Sequence, residues 1–224
     1  MKQEDLYTFL CTWMTPGKIQ KFEKIAALRT RHLVLVAEDI YQSQNASALL
    51  RTAECCGIQD VYVIENNNSF ELKKRVVKGA ADWLTIHRYN DGLNNSQRCF
   101  DELKAKGYKI AVTSPHEDDY TLSNIPLDHR LAVVMGSELK GASGTALKCA
   151  DYTVTIPMSG FTESLNVSVA TGLVLYEMGR RLRSSKLDWQ LSFEEQLELK
   201  INWAKKSIQS SAKLLELFER GEFS

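Results

Sequence analysis

Strand-like and helix-like segments alternate along this chain, and the alternation predicts an α/β domain built on a mostly parallel sheet with helices on both faces. Three observations carry the prediction. Short β-rich runs recur as HLVLVAE (32–38), DVYVIE (60–65), DWLTIHRY (82–89), YKIAVTS (108–114), RLAVVMG (130–136) and DYTVTIPM (151–158). Several of these are continuously apolar, as strands covered on both faces must be. Helical patterns lie between them, near 45–56, 69–78, 94–106 and 141–149. Strand followed by helix, repeated, is what parallel strands joined by crossovers look like in sequence. Such sheets bind ligands in the loops at the carboxyl ends of their strands.

Helical extensions flank this core. Thr15 as N-cap with Pro16 at the first helical position marks a start, and Ile19, Phe22 and Ala26 follow at helical spacing. Near the other end Ser192 and Glu195 spell a capping box. Leu197, Ile201, Ala204, Ile208, Ala212, Leu215 and Phe218 then hold one face of what reads as a single long amphipathic helix. The expected organisation is an N-terminal helical extension over 1–30, an α/β domain over 31–185 and a C-terminal helical extension over 186–224.

Composition narrows the function classes. With 44% hydrophobic residues in 224, the chain can bury a sizeable core, so disorder is not expected. Lys plus Arg and Asp plus Glu are 28 each, so no global positive field announces a nucleic-acid partner, and any such signal must be local. Five cysteines, including the adjacent Cys55 and Cys56, form no C-x-x-C pair, and four scattered histidines add no metal-ligand spacing. A disulfide framework and a metal site are therefore not expected. With the charged opening MKQEDLY no signal peptide is expected, and no apolar run approaches the ~20 residues of a membrane helix, which leads to the expectation of a cytoplasmic protein.

Three segments stand out. In SQNASALLRTAECCG (43–57), Asn45 and Arg51 are six apart and so do not share a helical face, although Asn45 placed in the preceding loop would let both approach one site. On periodicity alone, Asn45 as a helix cap and Arg51 as a solvated charge is the favoured reading. In LAVVMGSELKGAS (131–143), Gly136 and Gly141 mimic a phosphate loop, but Ala142 stands where its lysine is required. Glu138 there is a ligand contact, an orienting group or a cap. The third segment runs from TVTIPM into SGFTESLNVSVATGLVLYE, where Ser164 is the expected N-cap of a helix burying Leu165, Val169, Leu173 and Val174 and ending in Arg180, Arg181 and Arg183. Free N–H groups at such a terminus favour an electron-rich ligand group. A capped core helix with a basic tail remains the plain alternative.

In this order and separation, NASALLRTAECCG, GSELKG and IPMSGFTESLNVSVA resemble the three signature motifs of the SpoU/TrmH-type RNA 2′-O-ribose methyltransferases. The resemblance covers roughly residues 30 to 185, and the flanking helices are similar to the extensions of the branch that methylates tRNA. It implies a deep C-terminal trefoil knot, formed by loops near Thr113, Gly136 and 156–165, which chain-connection rules alone do not foresee. It implies S-adenosylmethionine as cofactor, with Thr113, Gly136, Ile156, Met158 and Leu165 lining its pocket, no metal, and a homodimer with the active site at the interface. Arg51 is the implied catalytic residue. An arginine is a poor base with a pKa above ~12, so a clamp on the target phosphate is preferred, with Asn45, Glu138, Ser164 and Asn166 orienting it, the ribose or the cofactor.

The expected substrate is a D-loop guanosine of tRNA (position 18). Ribosomal RNA, another tRNA position or a catalytically silent RNA-binding role are the alternatives. RNA docking at zero net charge needs local cations. Lys18, Lys21, Lys24, Arg29 and Arg31 before the first strand, and Arg180, Arg181 and Arg183 after the third motif, are the candidates. Asp82 is a departure, since relatives often carry a basic residue at that point.

Overall fold

Two helices precede the first strand in the computed structural model, which describes residues 2–77, 79–115 and 119–221. α1 spans Lys2–Cys11 and α2 spans Pro16–Ala26. The second starts where its sequence signal lies: the Thr15 hydroxyl accepts from the Lys18 amide at 3.4 Å, and Pro16 fills the first helical position. Strands and crossovers follow: β1 (Leu33–Glu38), α3 (Ser43–Cys55), β2 (Asp60–Ile64), α4 (Lys74–Val77), a 3-10 turn (Ala80–Trp83), β3 (Thr85–Tyr89), α5 (Asn95–Ala105), β4 (Lys109–Thr113), β5 (Tyr120–Thr121), β6 (Leu131–Met135), α6 (Gly144–Cys149), β7 (Tyr152–Thr155) and α7 (Val167–Arg183). α8 (Phe193–Ser207) and α9 (Ser211–Glu219) close the chain.

The described strands form a seven-stranded sheet in the order β3-β2-β1-β6-β4-β7-β5, every pairing parallel. Successive side chains of β1 enter opposite cores, as the two-residue strand period requires. Leu33, Leu35 and Ala37 pack with Leu49, Ala53, Val174 and Met178, whereas Val34 and Val36 pack with Phe100, Leu103 and Ala146. Helices α3 and α7 therefore cover one face, and α5 and α6 the other. Burying each of the Leu, Val, Met and Phe side chains among these contributes about 1.5–3 kcal/mol.

Several boundaries differ from the sequence expectation. DWLTIHRY opens as the 3-10 turn, because Gly79 (φ 76°) turns the chain before β3. The helix expected over 69–78 is reduced to Lys74–Val77 among the described residues. DYTVTIPM is a strand only to Thr155, since Pro157 brings no N–H to a ladder. The two-residue β5, edge partner of β7, lies in a polar stretch with no strand pattern. The single terminal helix is two helices: Ile208 adopts extended backbone (φ −97°, ψ 119°), and the serines after it favour a turn and a new start.

The chain divides into two compact units, residues 31–189 and residues 1–30 with 190–224. In the latter, segments distant in sequence pack together. Phe22 meets Trp203 edge-on with ring centroids 5.5 Å apart, and Lys200 donates to Glu23 at 2.7 Å while the Tyr7 hydroxyl donates to the same carboxylate at 3.1 Å. Burial first, and then the neighbouring Cys11 and Glu23, push the Tyr7 hydroxyl far above its ordinary pKa. No described helix is long and apolar enough to cross a membrane.

Candidate active site

β6, β4 and β7 are neighbours in the sheet, so the loops leaving their carboxyl ends converge. They enclose a cavity of about 580 Å³. The loop after β6 is tight. Ser137 and Gly141 exchange both backbone hydrogen bonds at 2.9 Å, with Gly141 at φ 66°. A Cβ on Gly136 would fall 2.2 Å from the backbone of Gly141 and Ala142, so only glycine lets this loop close. The pattern that mimics a phosphate loop is thus a self-closing turn.

That turn presents Glu138 to the chain leaving β1. Glu138 accepts from the amides of Tyr41 and Gln42 at 2.9 and 3.0 Å and from Asn45 Nδ2 at 2.8 Å. Burial would raise this carboxyl, but the Asn45 side chain and the two amides outweigh it and hold it below the usual carboxylate range. Asn45 passes the link on, its Oδ1 accepting from Asn166 Nδ2 at 3.3 Å. Asn166 Oδ1 accepts from the Ser168 amide and hydroxyl at 2.9 and 2.6 Å. One polar chain therefore ties all three sequence segments together at the cavity wall.

Two readings are corrected here. Asn45 is not in a loop but inside α3, buried and turned inward, with Gln42 at the N-cap position. Ser164 does not cap α7. Asn166 does, two residues later, and Ser164 is exposed on the cavity rim. Thr113, Gly136, Ile156, Met158 and Leu165 all line the cavity, and Thr113 Oγ1 donates to the Val134 carbonyl at 2.9 Å. Arg51 does not line it. It stands exposed on α3 and makes no side-chain hydrogen bond or ion pair among the described residues.

The face of α7 expected to be buried is partly open. Val169, Leu173 and Tyr176 are 51%, 46% and 67% exposed and repeat at helical spacing, while Val174, Leu175 and Met178 fill the core. The remaining arginines are largely committed within the protein. Arg29 is 1% exposed and lies on the Trp203 ring, so it is corrected from an RNA contact to a core residue. Arg31 pairs with Asp60 at 2.7 Å, Arg181 donates to the carbonyls of Leu122 and Ile125, and Arg183 donates to that of Cys56 while lying on Trp189. Arg180 is exposed but pairs with Glu177 at 2.8 Å.

Two acidic residues missing from the sequence reading organise the site. Glu38, 1% exposed, accepts from Ser96 Oγ at 2.6 Å and from the Ser143 amide and hydroxyl at 3.0 and 2.8 Å, fixing the end of the glycine turn. Asp39 (φ 51°) accepts from the amides of Asn66, Asn67 and Asn68. Burial would raise its carboxyl, but these donors and the Asn67 side chain lower it. Their one signal was an acidic pair closing an otherwise apolar strand. Among the described residues no cluster of three His, Cys, Asp or Glu side chains is arranged to hold a metal ion.

Comparison with known proteins identifies the family and the fold. The profile of the SpoU rRNA Methylase family matches residues 32–176. The chain is 38% identical over 201 residues to the tRNA (guanosine(18)-2′-O)-methyltransferase of Borreliella burgdorferi, covering 90% of both chains. Its fold is similar to that of the Aquifex aeolicus TrmH/SpoU tRNA modifying enzyme, with a TM-score of 0.75 and 26% identity over 86% of this chain and 97% of that one. It also shares the fold of the SpoU methyltransferase AviRb from Streptomyces viridochromogenes, solved in complex with AdoMet, with a TM-score of 0.56 and 21% identity over 73% of this chain and 62% of that one.

Proposed function

Because this chain belongs to the SpoU rRNA Methylase family, we propose that it methylates the ribose 2′-hydroxyl of guanosine 18 in the D-loop of tRNA, with S-adenosylmethionine as donor. The observation that carries the reading is the cavity where β6, β4 and β7 end, walled by all three motif segments and crossed by the Glu138–Asn45–Asn166 chain. Its volume of about 580 Å³ suits a small-molecule cofactor, for which pockets run ~300–1,000 Å³. Ile156 and Leu165 offer apolar wall, and Gly136 lets the loop that lines the cavity close on itself. When bound, S-adenosylmethionine supplies an electrophilic methyl group for in-line displacement by the ribose oxygen.

The protein's part is positioning. Glu138 accepts from three donors that hold its carboxyl below the usual range, so it acts as an anchor and not as a base. Asn45 and Asn166, held by it, set the ribose, with Ser164 at the rim. Arg51 stays charged and clamps the target phosphate, stabilising charge on the attacking oxygen. Since Arg51 lies outside the cavity of its own chain, the reading includes a homodimer in which α7 forms the contact and Arg51 serves the neighbouring site. The open apolar stripe of Val169, Leu173 and Tyr176 supports that contact.

Passage of residues 156–165 through a trefoil knot belongs to the same reading, as do a methyltransferase domain over 31–185, terminal helices that help dock tRNA, and a cytoplasmic location. The test is to incubate the protein with S-adenosylmethionine and unmodified tRNA and to map 2′-O-methylation. Methylation at guanosine 18, abolished by a 2′-deoxy substitution there, is expected. Methylation of a ribosomal RNA fragment but not of tRNA would sink the substrate assignment.

A further inference from the structure

Most of the arginines singled out by sequence are buried or paired, whereas Lys18, Lys21 and Lys24 are exposed, and the segment after β2 offers a further run of exposed cations. Lys73, Lys74 and Arg75 are consecutive and exposed, and none of their side chains makes a hydrogen bond or ion pair among the described residues. Their backbone is fastened along its length. Asp39 grips the amides of 66–68, Glu65 accepts from the Phe70 amide at 2.7 Å, and the Lys73 amide donates to Ser47 Oγ at 2.7 Å. Val77, buried at the end of α4, anchors the far side.

The anchor point decides what the run can reach. Ser47 is fully buried on α3, and its hydroxyl also donates to the Ser43 carbonyl at 2.7 Å, so it is a fixed post. Arg51 follows Ser47 by four residues on the same flank of α3, about 6 Å further along the helix axis. The Asp39 that holds the start of the loop also precedes Tyr41 and Gln42, which Glu138 grips at the cavity wall. A hydrogen-bonded backbone thus leads from Asp39 to this row of exposed cations, tied to α3 at Ser47, one turn before Arg51.

We propose that Lys73, Lys74 and Arg75 continue the Arg51 phosphate clamp, contacting backbone phosphates of the RNA strand that flank the methylated nucleotide. The inference rests on the RNA methyltransferase reading above. Unpaired, exposed cations on an ordered backbone are suited to phosphates. They make their contact without first breaking a salt bridge, and they release counterions from the RNA on binding.

The test compares the wild type with the triple variant Lys73→Ala, Lys74→Ala, Arg75→Ala and the charge-conserving Lys73→Arg, Lys74→Arg, Arg75→Lys. Affinity for labelled unmodified tRNA is measured against salt concentration, and S-adenosylmethionine affinity by calorimetry. Each lost phosphate contact lowers the slope of log affinity on log salt by about 0.7–0.9, so the alanine variant should lose about 2 in slope. Its tRNA affinity should fall about tenfold or more in moderate salt, with cofactor affinity unchanged and the charge-conserving variant retaining the wild-type slope. A wild-type slope in the alanine variant, or equal losses in both variants, would overturn the proposal while leaving the methyltransferase reading standing. A wild-type protein that binds S-adenosylmethionine but neither binds nor methylates tRNA would overturn both.

Discussion

Glu138 shows how much one side chain holds at this site. Three donors converge on its carboxylate, and through Asn45 it reaches the cap of α7. Glu138→Gln replaces one acceptor oxygen with an NH2 group that must face amide donors, which should cost about 2 kcal/mol in urea unfolding at neutral pH. The folded-state pKa is depressed, so the carboxylate's contribution is complete above its ordinary value of 4.5 and is lost as pH falls through the folded value. The stability gap between wild type and variant should therefore shrink below pH 4.5. A gap that stays constant into acid would refute the anchoring role. At this scale the sequence named Glu138, Asn45 and Asn166 but not their partnership, because six-residue spacing says nothing about a side chain 93 positions away. It chose Ser164 as a cap because serine caps well, whereas backbone geometry gave the position to Asn166.

Among the elements, periodicity was a sound guide wherever a segment was long and its ends were marked. α2 and α8 begin at their predicted caps, and the Ser192–Glu195 capping box is formed in both directions. Ser192→Ala should lower stability by about 1 kcal/mol, read as a fall in urea midpoint, and an unchanged midpoint would show that the box is dispensable. The division of the terminal helix at Ile208 was hidden because the apolar face keeps its spacing across the break. β5 was hidden for a different reason: two residues carry no period, and only the edge of β7 makes them a strand. Val169 and Leu173 match the core pattern of α7 yet point outward, since hydrophobicity records that a face is covered and not by what.

At the level of the whole molecule, that outward stripe carries the next expectation. Leu173→Glu should convert the proposed homodimer to monomers in sedimentation and lower methyl transfer at least about tenfold, with the tRNA D-loop unmodified at low protein concentration. An unaltered dimer would remove α7 from the contact. By itself the sequence determined the α/β class, the capped helices and the three motif segments, because backbone propensity, apolar period and residue identity are local properties. Tertiary structure alone decided that β6, β4 and β7 lie side by side, so that those segments close one cavity. It also decided that Arg29 serves the core, that Arg31, Arg181 and Arg183 are held by partners within the protein, and that Lys73, Lys74 and Arg75 meet solvent unpaired. Burial and pairing of a charge depend on neighbours far away in the chain, and no local pattern encodes them.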